Sequence, residues 1–235
     1  MRLGERPAGA PLHGSTLVIT IDGPAGAGKS TAARELARRL GYRLLDTGAM
    51  YRALAWSVAR AGLPAEDTEA LRGHLASVAL ELRGDRVFID GRDVSGEIRT
   101  REISDLTSRL TRLAPVRDRV TPLQRRMAAA GGVVLEGRDT GTVVCPDADV
   151  KFYLDASGDA RARRRQVELA TRGTAVDVDV IREEIALRDR QDATRALAPL
   201  RRAPDAIMVD TTDLGVEQVV EQMLKAIESA CCTRS

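Results

Sequence analysis

From Leu17 to Asp22 the chain is apolar and rich in β-branched residues over a stretch too short for a helix, which predicts a buried strand. A glycine-rich turn follows, and Lys29 to Leu40 then repeats its apolar residues at helical spacing until Gly41 stops it. Arg43 to Asp46 reads as a second short strand and Gly48 to Arg60 as a second helix. Farther on, Val133 to Glu136, Val150 to Leu154 and Ile207 to Asp210 are apolar runs of strand length, the pattern of a parallel sheet buried on both faces. Gly158 to Ala170 and Val216 to Ser229 return to helical spacing. Strand, turn and helix in repeated order predict an α/β fold, a parallel sheet between layers of helices.

The texture changes between about Leu75 and Thr100. Val78 to Leu82 and Arg86 to Asp90 flank a Gly84-Asp85 pair, a short-hairpin signal, and Gly91 to Gly96 is a second turn cluster, so a small inserted β unit is expected there. Met1 to Ser15 is rich in Gly and Pro and has no apolar core of signal-peptide length; a disordered leader is expected. The rest, about 16–230, is expected to be one domain, a size that buries a substantial core without staples. No internal repeat interrupts it.

Apolar residues make up 43% and charged residues 30% of the chain, and no apolar run approaches the roughly 18 residues of a membrane span. A transmembrane role is excluded and a cytoplasmic protein expected. A net charge of +2 argues against a surface that coats nucleic acid. The cysteines Cys145, Cys231 and Cys232 form no Cys/His set at metal-binding spacing, so reduced thiols are expected rather than a zinc site. Among 36 basic residues only Lys29, Lys151 and Lys225 are lysine, a bias that codon usage explains in the main. Lys29, however, sits where a compact ammonium has a specific task.

That task follows from Gly23-Pro24-Ala25-Gly26-Ala27-Gly28-Lys29-Ser30, which matches G-x-x-x-x-G-K-[ST] between a predicted strand and a predicted helix. Glycines let the backbone curl until successive N–H groups point inward on a polyphosphate, and the helix N-terminus adds partial positive charge. Lys29 would reach the β- and γ-phosphates of ATP, and the Ser30 hydroxyl would ligate Mg²⁺. A glycine-rich turn that merely caps a helix is the bland alternative. Such a loop names no substrate, since switch GTPases, motor ATPases and small-molecule kinases share it. The chain has no N-K-x-D guanine signature and no long strand ending in Asp-Glu, which weakens the first two.

Three further clusters bear on the acceptor. Asp46 to Arg52 opens at the carboxyl edge of the second strand, where α/β proteins place ligands, and offers Thr47, Tyr51 and Arg52; an Asp-capped helix with an exposed Arg is the alternative. Glu136-Gly137-Arg138-Asp139 ends another strand: Arg suits a phosphate dianion, and Asp accepts from an exocyclic amine such as cytosine N4, unless the two are a surface ion pair in a turn. Arg188, Asp192 and Arg195, spaced four and three apart ahead of Ala196-Leu197-Ala198-Pro199-Leu200, project from one helical face, either a solvated salt-bridge stripe or a ligand surface. Arg161, Arg163, Arg164 and Arg165, within about 157–175, suit a cationic lid over a transferring phosphoryl group. A kinase for UMP or a non-nucleotide metabolite, and a nucleotide-binding module that switches a partner, remain open on these residues.

Taken together the residues resemble the bacterial cytidylate kinases from Val18 to Ile227. The matching blocks are Ile19 to Thr31, Leu44 to Arg52, Asp93 to Thr100, Glu136 to Ala148, Phe152 to Ala156 and Ala196 to Leu200. The resemblance implies a nucleoside monophosphate kinase of the P-loop three-layer type that phosphorylates CMP and dCMP with ATP and Mg²⁺, as a monomer closing over two nucleotides. It implies that Gly23 to Thr31 hold ATP with Arg161 and Arg165, and that Ser108, Arg117 and Asp139 read the cytosine. Arg188 and Asp192 would hold the ribose hydroxyls, and Arg52, Arg138 and Arg195 would clamp the acceptor phosphate beside Thr47 and Tyr51. Lys29, Arg138 and Arg195 would carry the catalysis. The inserted β unit resembles the family's enlarged monophosphate-binding region.

Overall fold

The computed structural model describes residues 16–232 apart from Arg172; the expected leader lies outside them. In chain order the elements begin with β1 (Val18–Asp22), α1 (Lys29–Leu40), β2 (Arg43–Asp46) and α2 (Thr47–Arg60). Next come α3 (Glu69–Ser77), β3 (Leu80–Arg83), β4 (Arg86–Ile89), β5 (Arg92–Asp93), α4 (Arg101–Leu110) and α5 (Ala114–Ala128). Then come β6 (Val133–Glu136), a π-helical turn (Thr140–Val144), β7 (Val150–Asp155), α6 (Gly158–Ala170), α7 (Val178–Thr194), β8 (Ile207–Asp210) and α8 (Val216–Cys232), and a 3-10 turn (Glu97–Arg99) lies between β5 and α4.

Five strands form one parallel sheet in the order β2-β6-β1-β7-β8, and β3-β4-β5 form a separate antiparallel sheet. In β6 the period-two geometry of a strand is plain: Val133 and Leu135 join the core under α2 and α5, while Val134 faces the core under α1 and α8. Both faces are thus covered, which is why these strands read as unbroken apolar runs. A third, small core of Ala162, Ile181 and Ile185 binds α6 to α7. Among the described residues no helix is long and apolar enough to cross a membrane.

Element ends differ from expectation for local reasons. The second helix starts at Thr47 rather than Gly48, because the Asp46 side chain accepts from Ala49 N and caps it. The first hairpin strand starts at Leu80 rather than Val78, since Val78 N still bonds to His74 O and closes α3. Gly84, at φ 63°, makes the two-residue turn to β4.

All five strands of the main sheet end on an acid: Asp22, Asp46, Glu136, Asp155 and Asp210. They point to the carboxyl edge, where the loops that follow need acceptors for their N–H groups.

Candidate active site

The phosphate loop packs tightly on its surroundings. Gly23 takes φ 147°, and a Cβ there would lie 2.0 Å from Leu154 O of β7, so only glycine fits. Gly28, at φ 83°, caps α1 with its backbone, and its carbonyl accepts the Ala32 N–H. Lys29 folds back over the loop and donates to Pro24 O at 2.6 Å. Burial, reinforced by the Arg138 charge and opposed by Glu136, brings its ammonium down to about 7.

Ser30 donates to both oxygens of Glu136, at 2.9 and 2.8 Å. Glu136 is buried, and burial together with the Asp46 charge raises its carboxyl above the usual range. Hydroxyl and carboxylate oxygens side by side are the hard donors that Mg²⁺ accepts, with substrate phosphates completing its shell. Asp22 is also buried and lifted by burial. It accepts from Thr140 N and Oγ1 at 2.8 Å each and from Gly141 N at 2.7 Å, and so pins the π-turn that follows Arg138 and Asp139. Gly137 leaves room for this: a Cβ would meet Thr47 Oγ1 and Thr140 Cγ2, each at 2.6 Å.

Facing the loop is a buried ionic cluster. The Asp139 carboxylate sits between Arg117 of α5, which donates through Nη2, and Arg195, whose Nη2 is 3.3 Å away. Tyr51 lies under the Arg117 guanidinium, 5.8 Å from carbon to ring centroid. Arg138 donates from Nε to Asp192 Oδ2 at 3.0 Å. Arg188 keeps an Nε with no hydrogen bond among the described residues, and burial, with the Arg138 charge, pushes its guanidinium down to about 10. Arg52 pairs with Asp46 at 3.0 Å, while Thr47 Oγ1 donates to Glu136 O at 2.6 Å. An excess of guanidinium groups converging on few carboxylates is a site that favours anions.

The expected lid residues divide. Arg161 donates to Asp189, Ala25 O and Ala156 O, and Asp189 in turn accepts from the phosphate-loop amide of Ala25 at 3.3 Å. Arg164 reaches Thr211, whose hydroxyl donates to Ala27 O at 3.1 Å. Arg165 instead pairs outward with Glu168, and Arg163 is exposed. Ser108 is half-buried on α4, and none of the cluster's contacts runs to it among the described residues. Arg195 is not on the helical face of Arg188 and Asp192: α7 ends at Thr194, and Arg195 has extended backbone at φ −62°, ψ 140°. Its Nη1 still comes within 3.9 Å of Asp192 Oδ1.

Asp22, Glu136 and Asp189 carry no role in the reading from sequence, although Glu136 heads the Glu136 to Asp139 cluster. The signal for the first two is the acid at the end of a buried strand; Asp189 has none, since its partners are 28 and 164 residues away.

A phosphate loop at the carboxyl edge of a parallel sheet, faced by an arginine cluster, defines a P-loop phosphotransferase of the small-molecule kinase class. The family model for cytidylate kinase matches residues 19–229. The cytidylate kinase of Geobacter sp. (strain M21) is 48% identical over 216 residues, 90% of this chain and 93% of that one. That of Geobacter sulfurreducens is 49% identical over 211 residues, 88% of this chain and 91% of the relative. The chain belongs to the cytidylate kinase family. Among solved structures an uncharacterised protein from Eubacterium ventriosum superposes with a TM-score of 0.53 at 13% identity, over 91% of this chain and 99% of that one, a likeness of fold alone.

Proposed function

We propose that the protein transfers the γ-phosphoryl group of ATP to CMP and dCMP, yielding CDP or dCDP and ADP, as a cytoplasmic monomer that uses Mg²⁺. The observation that carries the acceptor assignment is the buried Asp139 carboxylate set between Arg117 and Arg195. A carboxylate accepts from the cytosine N4 amine, and Arg117, whose buried Nη1 has no hydrogen-bond partner among the described residues, donates to the acceptor edge of the ring. Ser108 borders the same base. Arg188 and Asp192 take the ribose hydroxyls, and Arg52, Arg138 and Arg195 the acceptor phosphate, with Thr47 and Tyr51 lining the pocket.

On the donor side the backbone N–H groups from Gly23 to Thr31, Pro24 excepted, wrap the triphosphate; Arg161 flanks it, and Arg165 would join it by leaving its outward pair with Glu168. Ser30 and Glu136 would hold Mg²⁺, which when bound neutralises charge on the phosphate oxygens. An oxygen of the acceptor phosphate, already ionised near neutral pH, forms the new P–O bond as the bond to the ADP oxygen breaks, so no strong base is needed. Lys29, Arg138 and Arg195 stabilise the charge that spreads over the transferring group. Residues about 157–175 serve as the lid and about 75–100 as the monophosphate-binding insertion. Their closure excludes water, which would otherwise take the phosphoryl group.

An ADP-release assay across CMP, dCMP, UMP, AMP and GMP tests the assignment. CMP and dCMP should be the efficient acceptors, and purine monophosphates used equally well would overturn it.

A further inference from the structure

The segment Ala196-Leu197-Ala198-Pro199-Leu200 contributes no side chain to the chemistry above, yet it contains a backbone outlier. Ala198 takes φ 48°, one of two non-glycine residues with positive φ among those described. The left-handed region crowds a Cβ, and alanine has no side-chain polar atom with which to offset that. The other such residue, Asp90, stands beside Gly91 in the β4–β5 turn, where its carboxylate accepts from Ala79 N. Strain of this kind persists only where the surroundings over-determine it.

At Ala198 the surroundings are visible. Leu200 N donates to Asp192 O at 2.8 Å and closes the loop back onto the end of α7. Within that loop the Ala198 carbonyl accepts from Arg195 Nε at 2.6 Å. Arg195 is almost wholly buried, its Nη2 turned to Asp139 and its Nη1 toward Asp192. A guanidinium is a rigid plane, so a bond at Nε fixes where both Nη groups point.

We infer that Ala198 is a positioning residue, whose left-handed backbone aims its carbonyl at Arg195 Nε and thereby orients the guanidinium toward the acceptor phosphate. The inference rests on the acceptor role proposed for Arg195. The functional group is the carbonyl, and the side chain matters only through the φ it permits. Glycine should therefore preserve the device, and a β-branched residue, which avoids positive φ, should break it.

The test compares Ala198→Gly, Ala198→Val and Arg195→Ala in steady-state kinetics with CMP and ATP varied separately, alongside thermal melts. Ala198 is half-buried at the surface, and Ala198→Thr provides a second β-branched variant should valine fail to fold. Expected are a KM for CMP within about twofold of the parent in Ala198→Gly, and a rise of about tenfold or more in Ala198→Val and Ala198→Thr, as for a lost charge-assisted bond. The KM for ATP should stay unchanged in all three. If glycine and valine behave alike, or valine and threonine leave CMP kinetics intact while Arg195→Ala impairs them, the positioning role is wrong and the acceptor role of Arg195 stands. If Arg195→Ala itself leaves CMP kinetics untouched, the acceptor reading fails and the inference with it.

Discussion

Lys29 is poised between charge states, so its response to nucleotide is measurable as a proton. In the free protein burial and the Arg138 charge bring its ammonium to about 7, so near pH 8.5 roughly one molecule in thirty carries the proton. A triphosphate set against Nζ favours the charged form and returns the group toward the ordinary lysine range. Binding at pH 8.5 should then take up about one proton per site, and the nucleotide contributes little, since a terminal phosphate ionises near about 6. Titration calorimetry with ATP in two buffers of different ionisation enthalpy reads this number directly. Lys29→Met should abolish the uptake and weaken binding. The stability sign is opposite to that of an ion-paired lysine: from pH 10 down to about 7 the unfolded chain binds a proton that the folded site refuses. Parent stability should therefore gain from rising pH across that window relative to Lys29→Met. Uptake near zero in the parent would refute the lowered ammonium, and equal uptake in the variant would refute its assignment to Lys29.

Three further outcomes follow from the geometry. Arg117→Leu leaves Asp139 buried with one partner fewer, so urea denaturation should show a loss of about 3 kcal/mol, and CMP should lose its advantage over UMP; an unchanged midpoint and preference would contradict the pair. Asp192→Ala should raise the KM for CMP, a charge-assisted bond being worth about 1.5 to 3 kcal/mol, and should lower kcat for CMP and dCMP alike because Asp192 also holds Arg138 Nε. A KM loss smaller for dCMP assigns the bond to the 2′-OH, and no change in either substrate removes Asp192 from the site. Gly23→Ala places a Cβ 2.0 Å from Leu154 O; the fold should lose about 1 to 3 kcal/mol and ATP affinity together, and a variant that keeps both would show the loop to be less tightly seated.

What the chain reveals before folding depends on whether the signal is local. β2, β6, β8, α1 and α6 coincide with the residues expected from pattern, since each is an apolar run or helical stripe bounded by its own turn residues. The phosphate loop is equally local, because its backbone geometry is written in glycines. Helices α3, α4 and α5 lie outside the elements that the pattern predicts. α4 carries a local stripe of Ile103, Leu106, Thr107 and Leu110, whereas α5 runs unbroken through Pro122, a helix breaker by local rules, and is held by its buried face of Val116, Val120 and Ala128. The site divides in the same way. Arg138 and Asp139 are adjacent in sequence, but which arginine meets which acid is decided by tertiary packing: Arg117 reaches Asp139 from 22 residues away and Asp192 reaches Arg138 from 54. Asp22 works through backbone amides 118 and 119 residues on, a relation that no spacing rule contains.

Competition between acceptors shows whether the phosphoryl group goes to a cytosine nucleotide. Enzyme with Mg²⁺ and γ-labelled ATP is given equimolar CMP, UMP, AMP and GMP, and the labelled diphosphates are separated and counted early in the reaction. Label should collect in CDP, with little in UDP and almost none in ADP or GDP, because a buried carboxylate and guanidinium matched to one base edge are left unpaired by the others. Label spread evenly over the four diphosphates, or concentrated in a purine product, would contradict the assignment of Arg117 and Asp139 and with it the proposed reaction.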